Sequence, residues 1–253
     1  MLTIAIPVRN EAPTIGVLLW RIRAMFQEYP REYEVLVFDD GSTDGTTDVL
    51  QPYLRALPLT VLGGAQPVGY PRAVDELLRE AAKRTRYPRR DAVILMQGDF
   101  TDLPEHIPEL VRRFEGGADI VLVDREPNPG TPVAERRLRT LLRWGHKLRL
   151  LRGATDAYGT YRLIRLSVIR DLVKLRGEAP LVTHEGWGGN LELFHGVQSV
   201  AKRAETAILS TRFDLRPRAS RRRPVGDAVA VLRVSRSLPP VRTDVQPPRP
   251  VPA

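Results

Sequence analysis

The chain contains no cysteine. A disulfide scaffold, a thiolate metal site and a cysteine nucleophile are therefore excluded, and a reducing, cytoplasmic setting is accommodated without being required. The four histidines, His106, His146, His184 and His195, are scattered and form no HExxH pattern, which removes the usual zinc arrangement. His106 and His195 are read as structural or surface residues. No apolar run approaches the roughly 18 residues of a membrane span. The opening residues, MLTIAIPVRNEAPT, lack the basic stretch and long apolar core of a signal peptide, so none is expected. Three nucleotide or hydrolase signatures are also missing. There is no GxGxxG after the first apolar run, no GxxxxGK[ST], and no GxSxG around Ser42.

What is present fits a soluble globular chain. Its 253 residues are 42% hydrophobic and 27% charged, enough for one large domain or one domain with a small appendage. The formal charge is +9, and the cations are almost all arginine, since only Lys83, Lys147, Lys174 and Lys202 are lysines. From residue 202 onward 12 Lys or Arg face 4 Asp or Glu, so the first 201 residues are nearly neutral. A basic end attracts anionic lipid, nucleic acid or phosphorylated substrate. Phe213 is the one aromatic of this segment, so the interleaved aromatics of a single-strand binder are missing. Nucleic acid is not an expected partner. An anionic membrane surface is, with a cytoplasmic protein peripheral at the inner face. Self-association into a homo-oligomer is left open.

The apolar pattern alternates between two kinds of element. Strands are expected at Leu2–Val8, Tyr33–Phe38, Leu59–Leu62, Ala92–Met96 and Asp119–Val123, as short Ile/Val-rich runs. Between them, Ile15, Leu18, Leu19, Ile22, Met25 and Phe26 repeat at helical spacing, with Asn10 as the expected cap. A helix from Asp44–Thr47 to near Tyr53, another over Pro71–Arg84, and a third opening at Leu103–Pro104 follow. Strand–helix alternation predicts an α/β fold, a mostly parallel central sheet with helices on both faces. Beyond Asp124 the pattern predicts a loop over 126–131, a basic amphipathic helix over 134–151, a structured loop over 156–161 and a helix over 167–175. A polar, glycine-rich segment over 183–190, a helix over 191–200, an edge strand over 203–210 and a basic loop over 216–223 come next. The division expected is a nucleotide-binding part, 1–124, and an acceptor-side part of the same domain, 125–224. An amphipathic helix, 225–238, and a disordered Pro- and Arg-rich tail, 239–253, complete the chain.

In open α/β sheets, ligands bind outside the carboxyl ends of the strands. Three polar clusters fall at such ends, over 7–11, 39–44 and 97–102. If the strands neighbour one another, one crevice collects Glu11, Asp39, Asp40, Asp99 and Asp102. Carboxylates repel phosphates but hold a hard divalent cation, Mg2+ or Mn2+, that in turn holds phosphates. The competing reading is turn chemistry alone, because acids at strand ends also cap helices and close Asx turns.

IPVRNE, VLVFDDGSTDGT and VILMQGDFTDLPE together resemble the family 2 glycosyltransferases of GT-A fold, and most closely the dolichyl- or polyprenyl-phosphate sugar transferases. The resemblance spans about residues 2–220. It implies that Pro7, Val8, Arg9, Glu11, Asp39 and Asp40 bind the donor nucleotide. It places Gln97, Gly98 and Asp99 on the family's Asp-x-Asp motif, which chelates metal and diphosphate. The first carboxylate of that motif is an amide here, so the resemblance implies that Asp99 carries the metal role with Gln97, and Asp102 in support. It further implies that Arg72 meets the diphosphate and that Asp156, Gly159, Tyr161 and Arg162 lie under the sugar and near the acceptor. Glu192 matches an interior acid, and Arg212, Arg216 and Ser220 match an Arg-rich covering loop. The helix carrying Val225, Val229, Val231, Leu232 and Val234 either packs on the domain or lies on a membrane.

The activity so implied is inverting transfer of a sugar from a UDP- or GDP-sugar to a polyprenyl phosphate or another small or glycan acceptor. A phosphate acceptor needs orientation, expected from Arg162. A hydroxyl acceptor needs a base, expected from Asp156 or Glu185. Trp187 either stacks on a sugar ring or sits in the core. Two other readings compete. One is a sugar nucleotidyltransferase, disfavoured because the loop after the first strand has no glycine before Gly16. The other is a non-catalytic domain that binds a nucleotide or glycan.

Overall fold

A computed structural model describes residues 1–126, 158–210 and 224–237, with Val133, Arg137 and Thr140. Of the expected helix over 134–151 only Arg137 and Thr140 are described, both helical, and the basic loop over 216–223 and the tail over 239–253 lie outside the described residues.

The described strands are β1 (Leu2–Val8), β2 (Tyr33–Asp40), β3 (Leu59–Gly64), β4 (Ala92–Leu95), β5 (Ile120–Glu126), β6 (Arg162–Arg165) and β7 (Ala204–Ser210). They form one sheet in the order β3-β2-β1-β4-β6-β5-β7. β1 pairs in parallel with β2 and β4, β2 with β3, and β5 with β7. Only β6 runs against its neighbours β4 and β5. The expected division at residue 124 falls inside β5, and the later strands β6 and β7 flank it in the same sheet.

The helices are α1 (Ala12–Glu28), α2 (Thr46–Leu50), α3 (Tyr53–Ala56), α4 (Tyr70–Arg84), α5 (Ile107–Glu115), α6 (Leu166–Arg176), α7 (Gly186–Gln198) and α8 (Pro224–Ser237). The sheet is buried on both faces, which is why its strands read as continuous apolar runs. Side chains alternate along each strand. Ile4, Ile6, Val35, Val37, Ile94 and Leu163 pack under α1 and α5. Ala5, Leu36, Phe38, Val93, Leu95 and Ile164 pack under α4, α6, α7 and α8. Val231 and Val234 of α8 are buried in that second layer, while Val229 and Leu232 are exposed. Among the described residues no helix is long and apolar enough to cross a membrane.

Six points differ from expectation. β6 is a strand that the apolar pattern does not announce, because it is four residues long and opens on a buried arginine. α7 begins at Gly186, not near 191. Within GWGGN, Gly186 takes a positive φ of 57°, whereas Gly188 and Gly189 act through close packing. A Cβ at Gly188 would meet Val234 at 3.3 Å and Ala230 at 3.4 Å, so glycine lets α8 lie against α7. Asn10 does not cap α1. It sits at a positive φ of 54° and turns its side-chain oxygen to the Thr43 N–H. The single helix expected up to Tyr53 is two short ones, and the helix expected from Leu103 opens as one 3-10 turn, Pro104–His106, before α5.

A Cβ at Gly189 would run into the carbonyl oxygen of His184. Gly189→Ala is expected to cost about 2–4 kcal/mol, a core-overpacking loss, read as a lower thermal midpoint. An unchanged midpoint would show that the 183–189 turn has room the packing does not suggest.

Candidate functional site

The carboxyl ends of β1, β2 and β4 lie side by side, because β1 is the central member of that trio. The loops that follow them are locked together by hydrogen bonds. Asn10 N–H donates to Ser42 Oγ (2.8 Å), Glu11 N–H to Thr46 Oγ1 (2.8 Å) and Ala12 N–H to Asp44 (3.2 Å). Asp44 stays below the ordinary carboxylate range. Burial works against its charge, but Thr46 and the Ala12 and Thr46 N–H groups outweigh it.

Glu11, Asp39, Asp40 and Asp102 are each less than a tenth exposed. Buried carboxylates of this kind need hydrogen-bond donors. Asp39 accepts the Ser42 N–H at 3.0 Å and the Thr47 hydroxyl at 2.8 Å, so turn chemistry accounts for part of its role. Asp40 accepts the Val68 N–H (2.5 Å) and the Gly69 N–H (3.0 Å), which ties the end of β2 to the start of α4. Its other oxygen lies 3.9 Å from Arg9, a half-exposed side chain. Glu11 accepts the Thr14 hydroxyl at 2.9 Å. Asp102 accepts the Gln97 N–H at 2.9 Å.

The segment after β4 closes on the one after β1. A Cβ at Gly98 would meet Val8 Cγ1 at 2.9 Å and Glu11 Cγ at 3.5 Å, so only glycine permits this approach. Asp99 accepts the Thr101 N–H at 3.1 Å and also the Thr101 hydroxyl. Phe100 stands at a φ of 62°, unfavourable for a bulky residue. Phe100 and Asn10 are the two positive-φ non-glycine residues described, and both lie in these loops. Strain of this kind collects where geometry serves function.

Glu185 belongs to the same edge. It is the N-cap of α7, and a Cβ on Gly69 would lie 2.9 Å from its carboxylate. Burial and then the charge of Asp40 push its pKa above the ordinary value, against the Tyr70 N–H and Arg9, which favour the anion. Its turn is pinned from behind by Glu192, which accepts the Thr183 N–H (2.8 Å), the Thr183 hydroxyl (2.8 Å) and the His184 ring nitrogen (2.9 Å). Burial opposes that charge too, but the hydrogen bonds hold Glu192 below the ordinary range. Glu192 is thus a support for Glu185.

Several expected site residues are placed differently. Arg162 is fully buried and donates to Asn190 O at 3.1 Å and to Gly159 O. Burial lowers its pKa to about 10, which leaves it charged at neutral pH. A buried guanidinium reaches no acceptor directly, so the orienting role is corrected to that of an internal brace. Trp187 is also buried, stacked near Tyr158, and is a core residue. Tyr161 is buried with its hydroxyl on Leu103 O (2.9 Å). Arg72 projects into solvent from the first turn of α4 and pairs with Glu76 at 2.6 Å. Pro7 and Val8 end β1 as expected. Asp156, Arg212, Arg216 and Ser220 lie outside the described residues. Sequence reasoning missed Tyr70, Thr160 and Asn190, polar residues beside glycines and aromatics whose mutual contacts have no local signature.

The metal expectation narrows. Among the described residues no group of three His, Cys, Asp or Glu could hold an ion by itself. Asp99 and the carbonyl oxygen of Gln97 are oxygen donors that suit a hard cation arriving with phosphates. Mg2+ and similar ions are commonly held by one or two carboxylates plus substrate phosphate.

An α/β sheet of this order, with nearly buried carboxylates at the ends of β1, β2 and β4, defines a GT-A-like class of fold. Residues 3–173 match the family described as Glycosyl transferase family 2, and the chain belongs to that family. It is 23% identical over 186 residues to an uncharacterized glycosyltransferase, YkcC, of Bacillus subtilis, covering 71% of this chain and 54% of the relative. It is 30% identical over 148 residues to the undecaprenyl-phosphate 4-deoxy-4-formamido-L-arabinose transferase of Pseudomonas syringae, covering 58% of this chain and 40% of the relative. The chain thus spans about half or less of the length of these relatives. Among solved structures it resembles glucosyl-3-phosphoglycerate synthase of Mycobacterium tuberculosis in complex with Mn2+, UDP and glucosyl-3-phosphoglycerate. That match has a TM-score of 0.58 and 19% identity, covering 92% of this chain and 76% of the other. It also resembles mannosyl-3-phosphoglycerate synthase of Rubrobacter xylanophilus, with a TM-score of 0.62 and 16% identity, covering 92% and 72%. At these identities the likeness is one of fold.

The raised pKa of Glu185 has a consequence for stability. A carboxyl whose folded pKa exceeds its unfolded one stabilises fully below the unfolded value, 4.5, and loses that contribution as pH rises through the folded value. Glu185→Gln is therefore expected to raise the thermal midpoint at pH 7.5 and to leave it unchanged below pH 4.5. A midpoint lowered at pH 7.5 would contradict the cost of burying this charge and its repulsion from Asp40.

Proposed function

We propose that this protein transfers a sugar from a nucleoside-diphosphate sugar, with the donor seated at the carboxyl ends of β1, β2 and β4. One observation carries the reading. Glu11, Asp39, Asp40, Gln97, Gly98 and Asp99 meet at one sheet edge, with Gly98 seated against Val8 and Glu11, in a chain of this family. Relatives supply the finer reading. UDP and Mn2+ in the mycobacterial complex favour a UDP-linked donor, and the undecaprenyl-phosphate transferases favour a polyprenyl-phosphate acceptor. A cytoplasmic place, peripheral at the inner membrane face, follows from that acceptor, with Val229, Leu232, Arg233 and Arg236 as the contact of α8.

The chemistry divides among the chain's residues. The loops after β1 and β2 hold the nucleoside, through the Pro7–Glu11 turn and the acids Asp39 and Asp40. Asp99 and the Gln97 carbonyl oxygen would hold the divalent cation, which when bound offsets charge on the departing diphosphate. The anomeric bond to the diphosphate breaks as the acceptor oxygen bonds from the opposite face, which inverts the anomeric centre. A phosphate acceptor is already anionic and surrenders no proton. A hydroxyl acceptor passes its proton to Glu185, whose raised pKa and half-exposed position suit a base.

Release of nucleoside diphosphate from UDP- and GDP-sugars with Mn2+ tests the reading. Asp99→Ala is expected to reduce release by at least about 100-fold while the fold is kept, the size of loss seen when a charge-stabilising group is removed. Wild-type-like turnover in folded Asp99→Ala would sink the assignment of the cation to this loop.

A further inference from the structure

A chain of polar side chains, buried at its centre and partly buried at its ends, runs behind the crevice. Gln97 Nε2 donates to Thr160 Oγ1 at 2.7 Å. Asn190 Nδ2 donates to the same oxygen at 3.3 Å and to Tyr158 O at 2.9 Å. Asn190 Oδ1 accepts the Tyr70 hydroxyl at 2.6 Å. Thr160 is fully buried and Asn190 is 3% exposed. Arg162 braces the backbone on both sides of this chain, through Asn190 O and Gly159 O. The Tyr158 carbonyl can only accept, so it fixes which end of the Asn190 amide is nitrogen. The oxygen end then faces Tyr70, whose hydroxyl donates. Interior polar groups satisfied in this way have few other arrangements.

We propose that Tyr70, Asn190 and Thr160 are positioning residues that set the Gln97 amide, nitrogen toward Thr160 and oxygen left for the donor diphosphate and its cation. The proposal deepens the reading of the crevice as a donor site and rests on it. It also gives a reason for the amide. A carboxylate at 97 could meet Thr160 only by accepting its hydroxyl proton, whereas the amide donates to that oxygen alongside Asn190 and keeps a carbonyl for the ligand. The residue that departs from the family's acidic motif is thereby the link between the loop after β4, the start of α4 and the first turns of α7. Donor binding at one of these elements is felt at the other two.

The test compares Thr160→Val, which keeps shape and loses the oxygen, with Thr160→Ser, which keeps the oxygen. UDP and GDP affinities are measured by calorimetry with and without Mn2+, and thermal midpoints are measured in parallel. Thr160→Val is expected to weaken nucleoside diphosphate about tenfold, the effect of one misplaced hydrogen-bonding group. Thr160→Ser is expected to restore most of that loss. In a Gln97→Ala background, Thr160→Val is expected to weaken binding no further, and Tyr70→Phe should show the same dependence on Gln97. Full affinity in folded Thr160→Val, or an equal loss in both backgrounds, overturns the proposal. If the wild type binds neither nucleotide, the donor reading fails by itself. The chain is then judged on midpoints. A double variant of Gln97 and Thr160 that loses less than the two single losses combined supports the link, and strict additivity overturns it.

Discussion

Four carboxylates, Glu11, Asp39, Asp40 and Asp102, lie nearly buried at one edge of the sheet, and the rest of the site depends on how that burial is made tolerable. A carboxylate out of water must be met by donors or it protonates. Here the donors are loop N–H and hydroxyl groups, from Ser42 and Thr47 on Asp39, Val68 and Gly69 on Asp40, Thr14 on Glu11, and Gln97 on Asp102. Most of these bonds close a single turn, those on Asp40 tie the end of β2 to the start of α4, and the N–H groups of Asn10, Glu11 and Ala12 join the loops after β1 and β2, so charge burial and loop order go together. A crevice built this way is ordered before any ligand arrives, which lowers the cost of binding one.

The sheet supplies the frame. Three parallel strands end side by side, and the antiparallel β6 returns the chain so that Thr160 and Arg162 come up behind β4. α7 then brings Asn190 to the back of the crevice and Glu185 to its mouth. One helix thus contributes a buried support and a half-exposed acid within two turns. The brace beneath it, Arg162, is pushed down by burial to about 10, against the charges of Tyr70 and Asp102, and so stays charged at neutral pH while it donates to the Asn190 and Gly159 carbonyls.

Most of the α/β frame was legible in the sequence, because a sheet covered on both faces writes itself as short runs of Ile, Val and Leu. The acidic crevice was legible too, since ligand sites of such sheets follow strand ends and DDGSTDG follows one. What was hidden depends on contacts distant in sequence. β6 is too short for a period, and its first residue, Arg162, was expected to orient the acceptor, since the carbonyls it meets are set by tertiary contacts. Glycines 188 and 189 looked like loop signals, whereas they admit α8 and the 183–184 backbone. Trp187 next to them reads equally as a sugar platform or a core residue, and its burial decides for the core. The partnership of Gln97 with Thr160 spans 63 residues and leaves no local trace.

The central claim is that a nucleoside diphosphate lies across the ends of β1, β2 and β4. The most direct measurement is a crystal structure of the protein soaked with UDP or GDP and Mn2+, with anomalous data to find the metal. The account predicts the nucleoside beside Asp39 and Asp40, and manganese within bonding distance of Asp99. Nucleotide and manganese found together on any other surface would contradict it.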